Sequence, residues 1–327
     1  MLKSRLELVR DFKKLKKLIA PSRLQLILNL ASVWIIWGST YLFIHFATES
    51  MPPLFMSAVR FLIAGAMLYT YARFQGGSVP AVRHWKAAGI LGTLLLVIGN
   101  AGMGIAIAVF KVPTGLAALL VAMLPIWVAF FNWIGFSRVT PSVRVLAGLL
   151  MGLVGLVILI SPDKLSAHSP INWFGVLVIA FGSFSWAIAT LLAPRLPQHP
   201  FQLQASAMQM LFAGGALLII SLVNESITAE KLLHATPRSL VALGYLITFG
   251  SLLGFTSYAW LVKNAPPHIT TTYAYVNPVV AMFLGWVFAG EKLTGQSLLA
   301  AAIIIAGVVL ITTQRKAKKE TVRAEVS

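Results

Sequence analysis

WGSTYLFIHFATESMPPLFMSAVRFLIAG, residues 37–65, can be laid over WAIATLLAPRLPQHPFQLQASAMQMLFAG, residues 186–214, at a constant offset of 149. Trp37 then meets Trp186, Ala58 meets Ala207, Arg60 meets Gln209, and Ala64-Gly65 meet Ala213-Gly214. Further along, Pro113 and Pro125 meet Pro266 and Pro278 at an offset of 153. The stretch Val154-Gly155-Leu156-Val157-Ile158-Leu159 resembles Ala306-Gly307-Val308-Val309-Leu310-Ile311. Each match is weak alone. Together they indicate a duplication, and an internal repeat governs every later assignment.

What was duplicated is apolar. The 327-residue chain is 58% hydrophobic and 11% charged, with a mean hydropathy of +0.84, whereas a soluble domain carries roughly 25% charged residues. That composition excludes a soluble enzyme and a disordered chain. The absence of cysteine excludes disulfide staples, thiolate metal sites and thiol nucleophiles. A bilayer core of about 30 Å needs about 20 apolar residues per helix. Ten such runs are found, at 24–46, 53–73, 85–108, 113–134, 142–160, 172–192, 203–223, 238–262, 269–289 and 295–313. None alternates as a membrane β-strand does. The breaks between them, such as Met51-Pro52-Pro53, Gln75-Gly76-Gly77 and Ala265-Pro266-Pro267, have turn chemistry. The expected fold class is an all-α membrane protein of ten transmembrane helices, five in each repeat. The first repeat occupies residues 24–160 and the second 172–313.

The formal net charge is +17. In a soluble chain that excess would suggest nucleic acid, but here it has a topological reading. With the N-terminus placed in the cytoplasm, 20 of the 26 Lys and Arg fall in inner segments, five in outer loops, and Arg60 inside a span. By the positive-inside rule both termini are cytoplasmic, as in a multi-pass protein of an inner or plasma membrane. Five spans per half is an odd number, so the second repeat is expected to be inverted relative to the first. The loops agree, because Arg138 follows the fourth span and Glu291 follows the ninth. Inverted repeats offer a route to alternating access around a midplane site.

In residues 1–23, Leu2, Leu6, Val9, Phe12, Leu15 and Ile19 recur at helical spacing among Lys and Arg. This segment reads as an amphipathic helix on anionic lipid headgroups, or as a frayed basic tail. Residues 314–327 form a second basic cytoplasmic tail.

Trp37-Gly38-Ser39-Thr40, Met51-Pro52-Pro53, Ala58-Val59-Arg60-Phe61 and Ala64-Gly65 resemble the opening of EamA-type permeases of the drug/metabolite transporter superfamily. Tyr275-Val276-Asn277-Pro278-Val279-Val280-Ala281 and Gly290-Glu291-Lys292-Leu293-Thr294 resemble the closing segment of that family. The resemblance covers about residues 24–313. It implies ten helices in two inverted units and export or exchange of small metabolites, amino acids among them.

Pro125 and Pro278 fall near the middle of their spans, and each frees a carbonyl four residues earlier. Such carbonyls must face protein or a wet cavity, so the pair is expected to mark helix breaks beside a transport site; a packing kink is the alternative. Around them lie Trp127, Tyr273, Tyr275 and Asn277, which would line that site. Tyr273 and Tyr275 cannot share one helix face, so at least one of them is expected to be structural. Trp37 and Trp186 lie too deep for the interfacial aromatic belt; with Ser39, Thr40 and Tyr41 they are either cavity walls or core fillers. Arg60 either snorkels to the headgroups or pairs with a substrate carboxylate or a carbonyl cluster, with Gln209 as its neutral counterpart. Asn100 and Tyr258 complete the expected substrate-binding set. His45 and His268 stand at span ends and read as solvated.

All nine acids fall in tails, loops or helix ends, which leaves no intramembrane carboxylate to carry protons. Facilitated diffusion or exchange is therefore expected. There is no H-E-x-x-H and no G-x-x-x-x-G-K-[ST], so the chain is not expected to be an enzyme or an ATP-driven pump, nor to need a cofactor or metal. A channel and a sugar-phosphate or nucleotide-sugar exchanger remain as alternatives. The expected partners are a small-molecule substrate and the lipid bilayer, without nucleic acid, in a monomer or weak dimer. Gly148-x-x-x-Gly152 and Gly250-x-x-x-Gly254 permit close helix approach.

Overall fold

A computed structural model describes residues 22–112, 117, 120–138, 140–159, 172–225, 235–289 and 294–313. The basic tails lie outside them, as do residues 113–116, 118 and 119 of the expected fourth span. Every regular element among the described residues is a helix, and none is a strand. In chain order the helices are α1 (Arg23–Thr48), α2 (Pro53–Phe74), α3 (Val82–Ala108), α4 (Leu124–Phe136), α5 (Val143–Leu159), α6 (Trp173–Arg195), α7 (Gln202–Asn224), α8 (Pro237–Asn264), α9 (Tyr273–Ala289) and α10 (Gly295–Thr312). Seven of these, α1, α2, α3, α6, α7, α8 and α10, are long and apolar enough to cross a membrane. The other three are shorter. Large apolar side chains such as Ile35, Leu150, Phe181 and Val223 point outward, the surface expected of a bundle bathed in lipid rather than water.

The chain punctuates its helices locally. Ser22 caps α1 in a capping box with Gln25, and Thr236 and Thr294 cap α8 and α10 through their side chains. Proline opens α2 and α8, where its missing N–H is no loss.

Packing couples the two halves. The pairs α2–α7 and α5–α10 are the most extensive. Contacts of α1 with α8 and α9 are matched by contacts of α6 with α3 and α4. Small residues make the closest approaches. A Cβ on Gly65 would meet Leu211 and the Ala207 carbonyl, while one on Gly214 would meet Leu62 and the Ala58 carbonyl. Rising numbers on α2 thus face falling numbers on α7, and the two helices pass antiparallel. Gly148 against Ile311 and Gly155 against Ile304 give the same sense for α5 and α10. Both small-residue motifs serve this internal packing: Gly152 abuts the Tyr275 ring, Gly250 the Arg60 guanidinium and Gly254 the Trp37 indole.

The antiparallel pair is fastened at both ends. At one, the Glu225 carboxylate accepts from the Leu54 and Phe55 backbone N–H groups, each at 2.8 Å, and from Ser221 Oγ at 2.7 Å. It thereby occupies the positive end of α2. At the other, Gln204 donates to the Ser78 carbonyl at 3.0 Å, and Ser78 pairs with His199 at 3.0 Å.

Two departures from α geometry fall at matching places. Thr93–Ala101 in α3 and Leu246–Phe255 in α8 are wound as π-helix, a form that collects at functional sites. The prolines are less symmetric than expected. Pro125 stands near the start of α4, just after a turn at Ala122–Met123, so it follows a break. Pro278 lies inside the continuous α9, and the break there comes earlier, at Thr271–Thr272. The expectation of a matched pair of proline breaks is corrected accordingly.

Candidate functional site

Halfway along the bundle, four aromatic rings from four helices meet. Trp37 packs edge-on against Trp186 at 5.7 Å and against Tyr273 at 4.9 Å, and lies 5.1 Å from Tyr258. Tyr258 is 5.6 Å from Trp186 and 6.0 Å from Tyr273. Hydrogen bonds fix the rings. The Trp37 indole donates to the Gly250 carbonyl at 3.2 Å and the Trp186 indole to Tyr258 Oη at 2.8 Å; Tyr258 Oη also pairs with Thr190 Oγ1 at 2.6 Å. Glycine makes room: a Cβ on Gly254 would lie 2.5 Å from the Trp37 ring, and one on Gly99 2.6 Å from the Trp186 ring. The group forms a septum across the bundle axis.

A cavity lies on each side of this septum. The first, of about 80 Å³, is lined by Trp37, Thr40, Tyr41, Ile44, Arg60, Asn100, Trp186, Ser251, Tyr273 and Asn277, among others. It has room for several waters. The second, of about 370 Å³, is lined by Ala189, Thr190, Ala193, Gln198, His199, Gln209, Tyr258 and Lys263, among others. Shifted by 149, Thr40, Tyr41, Ile44 and Arg60 become Ala189, Thr190, Ala193 and Gln209. The two cavities therefore share four repeat-equivalent lining positions. They also lie toward opposite ends of the bundle. Beyond the first, the end of α1 meets the start of α8, where Ser239 Oγ donates to the Phe46 carbonyl. The second reaches the segment Pro194–Gln202 and Lys263 at the end of α8.

Arg60 is 4% exposed. Its Nε donates to Ser251 Oγ at 2.8 Å and its Cζ sits 5.0 Å from the Phe61 ring centroid. Snorkelling to a headgroup is excluded by this burial. Asn277 is likewise buried; turned with its nitrogen toward them, its amide donates to the carbonyls of Tyr273 at 3.0 Å and Trp34 at 3.3 Å. It lies beside the Tyr41 hydroxyl.

The cavity brings together Trp37, Thr40, Tyr41, Arg60, Asn100, Trp186, Tyr273 and Asn277 of the expected set. Four of the expected residues lie elsewhere, and Tyr258 stands in the septum and faces the second cavity. Ser39 points away, bonding the Ile36 carbonyl at 2.7 Å and Tyr245 Oη at 2.6 Å. Trp127 packs with Phe131 and Phe184. Tyr275 is the structural member of its pair: fully buried, it donates to the Leu149 carbonyl at 3.1 Å. Gln209 lines the second cavity and donates to Gln198 Oε1 at 2.9 Å. Ser251 and Thr190 were not anticipated, because a lone hydroxyl in an apolar run has no distinguishing pattern.

At the helix ends, His45 is exposed, 3.7 Å from Glu49. His268 is half-buried, which holds its imidazole below the ordinary histidine range. Glu49 and Glu225, the two acids among the described residues, both stand at helix ends.

Apolar helices enclosing polar-lined cavities on either side of a central septum are the plan of a multi-pass membrane transporter. The chain belongs to the EamA-like transporter family, whose model matches residues 25–161 and again 173–313. It is 38% identical over 284 residues to the inner membrane transporter YedA of Escherichia coli (strain K12), covering 86% of this chain and 89% of that protein. It is 25% identical over 290 residues to the transporter YoaV of Bacillus subtilis (strain 168), covering 88% and 97%. A solved crystal structure shares the fold at a TM-score of 0.72 and 21% identity, covering 89% of this chain and 97% of that one.

Proposed function

We propose that this chain is a ten-span permease of the inner membrane with both termini cytoplasmic. Its two inverted five-helix repeats carry a small metabolite, amino-acid-like or with a flat apolar body, by alternating access. The carrying observation is the pair of cavities. Four repeat-equivalent positions line both, they lie toward opposite ends, and the septum of Trp37, Trp186, Tyr258 and Tyr273 stands between them. The antiparallel packing of α2 on α7 and of α5 on α10 supports the inversion, since each pair joins helices of the same rank in their repeats. Two halves that exchange conformations would open first one cavity and then the other to its own side of the membrane. With no acid in either lining, the cycle is exchange or facilitated diffusion.

The natural chain lacks cysteine, so single cysteines report accessibility directly. Ile44→Cys and Gln202→Cys would be treated with an impermeant maleimide in right-side-out and inside-out vesicles. The first is expected to label from the periplasmic face and the second from the cytoplasmic face. Labelling of both from one face would sink the reading. Counterflow in proteoliposomes against amino acids, amines, nucleosides and sugar phosphates identifies the cargo class, with Trp37→Ala, Trp186→Ala and Asn277→Ala expected to slow it.

A further inference from the structure

Arg60 is a buried charge that the described residues leave unanswered. It is the one formally charged residue lining the first cavity, and no acid among the described residues forms an ion pair with it. Nε is committed to Ser251. The two Nη groups, which carry four N–H donors, have no acceptor among the described residues. Guanidinium does not deprotonate in a protein, and a buried ion without a counter-charge is costly. The fold itself does not require the charge. The equivalent position on α7 is Gln209, a neutral amide whose nitrogen is satisfied by Gln198. At this pair of matched positions only one half has a cation, and that cation, buried at the cavity wall, is placed for an anion that the described residues do not supply.

We propose that the cargo is a small organic monocarboxylate whose carboxylate is held by the Nη edge of Arg60. This proposal rests on the transport reading above and names its substrate class. A single guanidinium neutralises one charge, and its Nη edge matches the two oxygens of a carboxylate. A phosphate dianion would keep a net negative charge in a lining with no second cation. Beyond Arg60 the cavity is walled by Trp37, Trp186 and Tyr273, faces suited to a flat apolar body. The amides of Asn100 and Asn277 offer hydrogen bonds to a further polar substituent. Ser251 acts through Arg60, holding Nε at 2.8 Å and so fixing the guanidinium plane at the cavity wall.

The test uses the full-length protein in nanodiscs and four probes of similar size: phenylacetate, 2-phenylethanol, phenethylamine and phenyl phosphate. Binding is read by calorimetry and by tryptophan fluorescence. Phenylacetate is expected to bind about 10-fold or more tighter than the other three, in keeping with a charge-assisted bidentate contact. Arg60→Gln removes that preference, so that phenylacetate binds no tighter than 2-phenylethanol to the same variant, Arg60→Lys retains part of it, and Ser251→Ala costs about 3-fold through looser orientation. Phenylacetate that fails to bind, binding blind to charge, a preference for phenyl phosphate, or a preference that survives Arg60→Gln would each overturn the proposal. Should Arg60→Gln fail to fold, the four-probe series on the natural protein still decides. Proteoliposome counterflow separates the two readings. Charge-blind exchange of the probes defeats this proposal alone; Arg60-dependent binding of phenylacetate with no exchange of any probe defeats the transport reading alone.

Discussion

The two cavities share four repeat-equivalent lining positions and have different chemistry. The first is narrow, about 80 Å³, and contains Arg60 with two asparagine amides. The second is wider, about 370 Å³, neutral where Gln209 replaces Arg60, and bordered by Pro194, Pro197 and Pro200. Placement and chemistry are thus set by different residues. Placement comes from small residues that set helix distances, such as Gly65 and Gly214 on the α2–α7 seam, and both halves have them. Chemistry comes from the side chains at matched lining positions, which have diverged. A duplicated bundle can in this way have one mechanical plan and two unlike faces.

The largest effect is expected where the equivalence is tightest. Gly254→Leu and Gly99→Leu each drive a side chain into a septum tryptophan, starting from Cβ distances of 2.5 and 2.6 Å. Overpacking of this kind costs about 1–3 kcal/mol or more, read as a fall in melting temperature and loss of counterflow. Gly104→Ala, with nothing within 4 Å of its Cβ, serves as the silent control. If Gly254→Leu were tolerated and Gly99→Leu were not, the two halves of the septum would not be equivalent.

Tyr258→Phe comes next. It removes the acceptor of the Trp186 indole and the partner of Thr190, at about 1–3 kcal/mol for buried groups left unpaired. Maleimide labelling of Ile44→Cys from the opposite face should then rise as the septum loosens. Glu225→Gln keeps at most one of the two bonds to the Leu54 and Phe55 N–H groups and loses the charge at the α2 N-terminus. The expected cost is about 1 kcal/mol, seen as a small drop in melting temperature that a Gln204→Ala variant at the opposite end does not reproduce in its salt dependence. Gln209→Arg is expected to have the mildest effect. It places at the matched position of the second cavity the guanidinium of the first, in addition to Lys263, so apparent affinities for phenylacetate measured from the two membrane faces should converge by a few-fold. Divergence instead would mean that the cavities are not functional counterparts.

The helices were legible because lipid demands long apolar runs, and their turns were written in proline and glycine. The repeat was legible from Trp37 and Trp186, and these two did prove to meet. The azimuth of each helix was not legible. In a bundle apolar on all sides no polar stripe tells which face turns inward, so Ser39 and Trp127 were placed on the wrong side of their helices. Tyr275 lies two residues from Tyr273, and the sequence alone could not choose between them. The π-helical turns of α3 and α8 add a further shift of phase. They bring Gly250 and Ser251 to Trp37 and Arg60, a meeting that 3.6-residue periodicity does not forecast. Pro278 misled for a related reason: proline marks where a helix can break, and this one stays whole, with Asn277 bonded to the Tyr273 carbonyl beside it.

The Glu225 cap has a mechanical consequence. Subtracting the repeat offset places its counterpart at Gly76, a residue with φ +86° and no side chain to reach across. One tip of the α2–α7 pair is therefore clamped by a carboxylate, and the other is held by the Gln204 amide on the Ser78 carbonyl and by the Ser78–His199 pair. Two rods pinned more firmly at one tip than at the other splay like scissors from the pinned tip. Splaying of this pair would be wider at the Ser78–His199 tip, beside the roomier of the two chambers.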